Sequence, residues 1–294
     1  MTRPAPALAP AATSGPSVTD RLGYSAYFLV ALLLAIIFLM PIVWSFANSF
    51  KPAAEALANP VALFSKAFSL ENYRRLENVG AGWYVYAANS VAIALGTVLL
   101  TILISVPAGY GFSKFRFPGQ SLIFMVVMAT MMIPFQSILT PLFLVLKILG
   151  LQNSLFGLVL VYTTFQLPFS IFMMRNAFDA VPGALIEAAR IDGASQWTLV
   201  RRIMLPLALP GAATVAMFAF LNAWNEFLAA LIFLSDQTKF TLPIMLVNVS
   251  SGIYGIIDWG ALQAGITLTM VPCILLFLLL QRYYVRGLTA GAVK

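Results

Sequence analysis

The sequence predicts an all-α, polytopic membrane protein with six transmembrane helices. The chain has 294 residues, of which 61% are hydrophobic and 9% are charged, whereas an ordinary soluble domain is about one-quarter charged. Its charges separate apolar blocks that reach the roughly 20 residues a helix needs to cross a bilayer. These blocks lack the alternating pattern of membrane β-strands, so helices are the predicted spanning elements.

Six apolar blocks are long enough to span a membrane. They are Leu22–Phe46, Tyr84–Ala108, Pro118–Leu146, Ser154–Met174, Leu207–Leu234 and Trp259–Tyr283. The segment 1–21 is rich in Pro, Ala, Ser and Thr, which predicts a disordered tail. The uncharged run between Arg21 and Lys51 is longer than the apolar region of a signal peptide, so we expect a retained helix. Pro134 and Pro141 predict kinks in the third block.

The distribution of charge predicts the orientation. When the N-terminus is placed in the cytoplasm, most of the 17 Lys and Arg residues fall in cytoplasmic segments, as the positive-inside rule requires. Both termini are therefore expected in the cytoplasm. The predicted units are a cytoplasmic tail (1–21), a first transmembrane helix with an outer loop (22–83), a core domain (84–286) that contains a cytoplasmic loop (175–206), and a cytoplasmic C-terminal tail (287–294). The outer loop either contacts an external partner or connects two spans through a short surface helix.

The composition excludes several classes of function. The chain has no histidine and one cysteine, Cys273, so we expect no catalytic residue of the Ser-His-Asp or Cys-His type and no metal site. Lys and Arg do not cluster with exposed aromatic residues, so nucleic-acid binding is not expected. No Walker A pattern occurs, so ATP would have to be bound by a partner.

The cytoplasmic loop, residues 175–206, predicts two short helices on the membrane surface. Pro182 suits the first turn of a helix over Ala184–Ile191. Gly193 permits a sharp turn with positive φ, and Ser195 can cap a second helix over Gln196–Met204. Charged side chains would then be available to a partner. They are Glu187, Arg190, Asp192, Arg201 and Arg202.

The same loop resembles the EAA loop of binding-protein-dependent ABC import permeases. The residues at the spacing of that motif are Glu187, Ala188, Ala189, Gly193, Ile203, Leu205 and Pro206. In that family the loop forms a coupling helix that sits in a cleft of the ATP-binding subunit. The resemblance implies the type I ABC importer permease fold, and it implies ATPase coupling through these residues together with Asp192. The small side chains of Ala188 and Ala189 would permit close approach to a cleft wall.

Softer motifs resemble the carbohydrate importers of the maltose/glycerol-3-phosphate type, and in particular their six-span subunit. They are Ile191-Asp192-Gly193-Ala194, Trp224-Asn225-Glu226-Phe227, the segment 149–153 and the tail 287–294. The resemblance implies a bacterial inner-membrane location and a sugar substrate. The implied partners are a sister permease in a heterodimer, two cytoplasmic ATP-binding subunits, an extracytoplasmic solute-binding protein and membrane lipid. It also implies that this chain binds no cofactor, because the partner ATPase uses ATP and Mg²⁺.

Polar side chains inside the predicted spans are candidates for the translocation pathway. Glu226 is the only acidic residue inside a predicted span. Asn222, Asn225 and Glu226 share one helix face, where they could form an outer gate or hydrogen-bond to neighbouring helices. The single amides in other spans are Gln136, Gln166 and Gln263. Each could bind a hydroxylated substrate or serve helix packing.

Three alternatives remain open. An ABC permease for an amino acid, polyamine or osmolyte would carry nearly the same loop. A secondary transporter would usually show inverted repeats and several ionisable groups within its spans, neither of which is visible. An intramembrane enzyme would need a partner acid or a metal-ligand cluster, and the sequence offers neither.

Overall fold

A computed structural model describes residues 18–59, 62, 65, 67–252 and 257–290. Within these residues every regular element is helical. Five helices are long and apolar enough to cross a membrane, and a sixth span is present if one bent helix pair is counted as one. The predicted tail up to residue 17 and the residues 291–294 lie outside the described part. Residues 18–21, predicted as part of the tail, instead begin the first helix.

The first helix, α1 (Val18–Ser49), leads into a loop that carries two short helices, α2 (Ala53–Ala58) and α3 (Glu71–Glu77). This loop folds around Lys51, which is fully buried. The Lys51 ammonium donates to the backbone carbonyls of Asn59 and Ala62. Burial lowers the pKa of Lys51, and the nearby Glu55 carboxylate partly opposes that shift. The predicted surface helix of this loop is therefore present, within a loop that has a polar core of its own.

A buried amide attaches α3 to the end of α1. The Asn72 Nδ2 donates to the carbonyl oxygens of Ser49 (3.0 Å) and Lys51 (2.8 Å). The Asn72 side chain also lies against Gly260, where an added Cβ would stand 2.3 Å from its Oδ1. Asn72 thus holds the loop to the end of α1 and to Gly260 in the last helix of the chain.

The next spans are α4 (Trp83–Lys114), the bent pair α5 (Gln120–Ala129) and α6 (Leu139–Ile148), and α7 (Leu155–Asp179). The helices α4 and α7 pack closely where Gly109 meets Met174, since an added Cβ would stand 2.5 Å from the Met174 Cβ. A glycine at this point therefore allows two helices to approach more closely than larger side chains permit.

The third predicted span is broken rather than kinked. Its two halves meet at 98°, because Ile133 and Pro134 adopt extended backbone between two short 3₁₀ turns, Thr130–Met132 and Phe135–Ile138. Pro134 cannot continue a helical hydrogen-bond ladder, and it restricts the residue before it. Pro141 lies in the first turn of α6, where proline is tolerated, so it causes no second kink.

The loop after α7 forms α8 (Gly183–Ile191) and α9 (Gln196–Leu199). It then passes through a π-helical turn, Val200–Met204, into α10 (Leu205–Asn225). The fifth predicted span, Leu207–Leu234, ends early. The backbone becomes extended at Glu226, and a separate short helix follows, α11 (Leu228–Phe233).

The chain ends with α12 (Leu242–Ser251), which was not predicted, and α13 (Trp259–Ala290). The Trp224 indole at the end of α10 donates to the carbonyl of Thr269 on α13 at 3.1 Å. An ion pair between Arg75 and Asp258 (2.6 Å) joins α3 to the start of α13. The helix α10 lies inside the bundle, because it packs against α4, α7 and α13.

Candidate functional site

The EAA loop, residues 175–206, is a rigid pair of helices. Gly193 has φ +77°. Its N–H donates to the carbonyl of Arg190 (3.1 Å), and the N–H of Ala194 donates to the carbonyl of Ala189 (2.9 Å). These two bonds close α8 with a Schellman motif, which favours glycine at the left-handed position. The predicted turn at Gly193 is therefore present.

The second helix of the EAA loop begins as predicted. The Ser195 Oγ accepts a hydrogen bond from the Thr198 N–H at 3.3 Å, which caps α9. Pro182 directly precedes α8 rather than lying in its first turn, with extended backbone at ψ 130°. The two helices follow each other after a short, well-defined turn, so their relative direction is fixed by backbone hydrogen bonds.

The motif residues divide between two faces of the loop. The side chains of Glu187, Ala188 and Asp192 are exposed, as is Pro206. Ala189 is instead buried in a small apolar cluster that it forms with residues of the adjoining helices of this chain. That cluster contains Met174, Phe178, Ala189, Leu199, Met204, Ala208 and Val215. Ile203 packs against this cluster, and Leu205 is half-buried.

The burial of Ala189 corrects one expectation. Its small side chain serves close packing within the chain, so only Ala188 of the alanine pair lies on the outward face. Two large apolar side chains are exposed beside the motif, Ile191 (86%) and Trp197 (71%). Sequence reasoning missed them, because a single apolar residue in a loop is ordinary and only its exposure marks it.

A cavity of about 300 Å³ lies deeper in the bundle, where α4, α7 and α10 meet the bend of the third span. Its walls combine aromatic rings, small residues and a few polar side chains. They are Thr97, Phe135, Tyr162, Phe165, Gln166, Ala219, Asn222, Ala223 and Glu226. Three predicted pathway residues, Gln166, Asn222 and Glu226, are thus brought together. A few polar groups in an apolar cavity are typical of small-molecule sites.

Glu226 is the most connected polar group of this cavity. Its carboxylate accepts from the N–H groups of Ala229 (2.9 and 3.1 Å) and Ala230 (3.2 Å), and from the Tyr162 hydroxyl at 2.5 Å. The side chain therefore caps α11 and joins it to α7. The backbone break at Glu226 permits this arrangement, because a residue within a continuous helix could not accept from the N–H groups of the next turn.

An amide pair forms the neighbouring wall. The Asn222 Nδ2 donates to the Gln166 Oε1 at 2.8 Å, and the Gln166 Nε2 donates to the Ser170 hydroxyl at 3.3 Å. Gln166 is buried while Asn222 is exposed on the open side of the cavity. Tyr162, Phe135, Phe165 and Thr97 were not predicted, because hydroxyl and aromatic residues are common in membrane helices and give no separate signal.

The other predicted pathway residues do not line this cavity. Asn225 is exposed, and its Nδ2 donates to the Leu221 carbonyl of its own helix (2.8 Å). Gln136 is exposed on the bend of the third span. Gln263 is buried in α13, and its Oε1 has no hydrogen-bond partner in the structure. Among the described residues, no group of His, Cys, Asp or Glu side chains is arranged to hold a metal ion.

Comparison with known proteins identifies the family. Residues 101–290 match the model of the binding-protein-dependent transport system inner membrane component. This chain is a member of that family. The match covers the C-terminal part of α4 and the described helices from α5 to α13, so it includes the EAA loop and every residue of the cavity wall except Thr97.

Several relatives of this inner membrane component are similar over nearly their whole length. The diacetylchitobiose uptake system permease protein NgcG of Streptomyces coelicolor is 36% identical, over 94% of this chain and 91% of the relative. The trehalose/maltose transport system permease protein MalG of Thermococcus litoralis is 36% identical, over 90% and 94%. The osmoprotective compounds uptake permease protein GgtD of Synechocystis is 34% identical, over 90% of both.

The fold of this family member also matches a solved structure. One chain of a bacterial ABC transporter involved in the import of the polysaccharide alginate superposes with a TM-score of 0.77, over 92% of this chain and all of that one. The two are 23% identical. The structure is therefore the ABC importer permease fold, and the chain is a multi-pass inner-membrane protein, as the sequence predicted.

Proposed function

We propose that this family member is the transmembrane permease subunit of an ATP-driven sugar importer, and that it couples to a cytoplasmic ATPase through the EAA loop. The observation that carries the proposal is the outward face of that loop. Glu187, Arg190 and Asp192 are exposed, and no ion pair found in the described part of the chain includes them. A rigid helix with unpaired charges is suited to a partner's cleft.

The rigidity of the loop supports its role in coupling. A flexible contact would transmit no defined displacement, whereas α8 ends in a Schellman turn and α9 begins with a serine cap. The apolar cluster under Ala189 and Leu199 ties both helices to α7 and α10. Movement of the loop would therefore be passed to the helices that line the cavity.

The proposed assembly follows from the same surface. Two cytoplasmic subunits would bind and hydrolyse ATP with Mg²⁺, and a sister permease would complete the pathway on the open side of the cavity beside Asn222. A solute-binding protein would deliver the sugar from outside the cell. Both termini of this chain would then lie in the cytoplasm, together with the EAA loop.

Sugar is the favoured substrate class because the relatives described above include permeases named for diacetylchitobiose and for trehalose and maltose. A second candidate is an osmoprotective solute, which is favoured by the similarity to a permease named for such compounds. The ligand of the cognate binding protein decides between them. Stimulation of ATP hydrolysis by a sugar-loaded binding protein supports the first, and stimulation only by an osmolyte supports the second.

The coupling proposal is tested by Glu187→Lys and Gly193→Asp in the assembled transporter. Both variants should insert normally but abolish uptake, because the first reverses an exposed charge and the second strains a backbone at φ +77°. The measurements are membrane level, co-purification of the ATPase and substrate-stimulated hydrolysis. Glu77→Lys is the matched control, since it makes the same charge change on exposed α3 and should leave ATPase co-purification unchanged. Full uptake and normal stimulated hydrolysis in both variants would exclude the loop as the coupling element.

A further inference from the structure

One buried side chain of the cavity has a hydroxyl group without a hydrogen-bond partner. The Thr97 side chain is 1% exposed and lines the cavity, yet its Oγ1 makes no hydrogen bond in the structure. A buried hydroxyl without a partner is unfavourable unless a ligand or water completes it. Because Thr97 also lines the cavity, its hydroxyl is placed to bond to a polar molecule there.

The remaining polar groups of the cavity are held in fixed positions. Glu226 is fixed by the N–H groups of Ala229 and Ala230 and by the Tyr162 hydroxyl. The Asn222 amide is fixed through its bond to Gln166. The Asn222 Oδ1 and the carboxylate of Glu226 retain acceptor capacity, because a carboxylate and an amide oxygen each have several lone pairs. Neutral hydroxyl groups of a ligand could donate to both.

Aromatic rings supply the apolar part of the site. Phe135 and Phe165 pack edge-to-face, with their ring centroids 4.3 Å apart, and both line the cavity. The bend of the third span places Phe135 there, directly after Pro134. The C–H face of a sugar ring packs on such rings, while its hydroxyls reach polar groups at the edge. A volume of about 300 Å³ is at the lower end for small-molecule sites, which suits a single ring.

We propose that this cavity is a subsite for one ring of the transported sugar, with the ring face on Phe135 and Phe165 and its hydroxyls bonded to Thr97 and Asn222. The inference rests on the proposed sugar import and adds that this subunit itself selects the substrate. The cavity lies about 10–20 Å along α7 from Leu155, which is near the middle of a span. The sugar would thus meet the subsite during passage.

The sharpest test compares two threonines on α4. Thr101, one turn after Thr97, is equally buried and also has an unpartnered hydroxyl, but it does not line the cavity. Valine has the shape of threonine, and neither hydroxyl bonds to the protein, so Thr97→Val and Thr101→Val should both fold. Uptake would be measured with the whole transporter in proteoliposomes and its binding protein loaded with labelled maltose, trehalose or diacetylchitobiose.

Thr97→Val should lower the uptake rate, or change the ratio of rates between two sugars, by about three- to tenfold, the equilibrium factor of one neutral hydrogen bond. Thr101→Val should match the unmodified chain. A second pair, Phe165→Leu against Phe169→Leu, should show the same contrast, because the Phe169 ring pairs with Phe218 instead.

Equal behaviour within both pairs, with normal sugar uptake by the unmodified transporter, would overturn the subsite and leave the proposed function intact. Failure of the unmodified transporter to take up any of the three sugars would overturn the sugar assignment itself, and the subsite with it. A selectivity change in Thr97→Val at normal protein level supports the proposal, because a loss of packing alone would slow all sugars alike.

Discussion

The cavity and the EAA loop lie at opposite ends of α10, about 30 Å apart along the helix. Their polar side chains differ in whether they bond within the chain or face outward. At the cavity, the Glu226 carboxylate accepts from the Tyr162 hydroxyl and from a backbone N–H of α11. The Gln166 side chain on α7 accepts from the amide of Asn222 on α10. At the loop, Glu187 and Asp192 project outward. Polar groups that are paired within the chain stabilise its fold, whereas outward charges are available to a partner. Substitutions at the cavity should therefore mainly lower the stability of the chain, whereas substitutions on the outward face of the loop should mainly weaken binding of the partner.

The largest expected difference between the two regions is their accessibility from either side of the membrane. Cysteines placed at Ala58 and at Ser195, in a background that lacks Cys273, should react differently with a membrane-impermeant thiol reagent. We expect complete labelling at Ala58 from outside the cell and none at Ser195, because the charge bias places the EAA loop in the cytoplasm. Both positions are exposed. The reverse labelling pattern would contradict the orientation and the docking proposal together.

The next largest effect is expected from Glu226→Leu. This change leaves the N–H groups of Ala229 and Ala230 and the buried Tyr162 hydroxyl without an acceptor, which should cost about 2–4 kcal/mol. The thermal midpoint of the solubilised transporter should fall clearly. Glu226→Gln retains an acceptor oxygen and should lose less.

Asn225→Leu is the matched control for Glu226, because the adjacent Asn225 is exposed and bonds only to its own helix. It should leave the midpoint nearly unchanged. A Glu226→Leu protein as stable as the unmodified chain would show that the carboxylate does not serve as a cap, and would return Glu226 to a role toward substrate alone.

A smaller, local effect is expected at the other end from Ser195→Ala. Loss of the cap should cost about 1 kcal/mol, and hydrogen exchange should accelerate in α9 without a change in the global unfolding midpoint. Ser195→Thr retains a hydroxyl acceptor and should restore protection. A fall in the global midpoint would indicate that the EAA loop and the bundle unfold as one unit, which would weaken the contrast between the two regions.

The smallest effect on stability is expected from Arg190→Ala. The side chain is exposed, and such surface changes usually alter the free energy of unfolding by less than about 0.5 kcal/mol. Co-purification of the ATPase should nevertheless decrease. If the variant is less stable but the ATPase co-purifies normally, Arg190 serves the fold of this chain and does not contact the partner.

Much of the fold could be predicted because charges bracket the apolar blocks. The helices α1, α4, α7 and α13 fall where the blocks predicted them. The break before α6 was not predicted as a break, since hydropathy is the same on both sides of Ile133. The early end of α10 depends on the bonds of Glu226 to the following turn, which no local pattern reports. The helix α12 is only 10 residues long, too short for a span criterion.

The two candidate sites also differ in how far the sequence predicted them. The turn at Gly193 and the cap at Ser195 could be predicted, because glycine and serine have strong local preferences, whereas the burial of Ala189 depends on tertiary contacts. The cavity could be predicted only through Gln166, Asn222 and Glu226, which are rare residue types within spans. Thr97 and Phe135 take part through tertiary contacts, and their types are too common in membrane helices to be noticed.

The π-helical turn at Val200–Met204 has a consequence for insertions and deletions. Such a turn holds one residue more than the α-helical turn it replaces. Deleting one residue between Val200 and Met204 would therefore leave an uninterrupted α-helix from α9 into α10. Because one full turn would be replaced by one full turn, the direction of α8 relative to Asn222 and Glu226 would change little. The π-helical turn is thus the place where this helix tolerates the loss of one residue, whereas a one-residue deletion in the α-helical part of α10 would rotate the EAA loop by about 100° relative to the cavity.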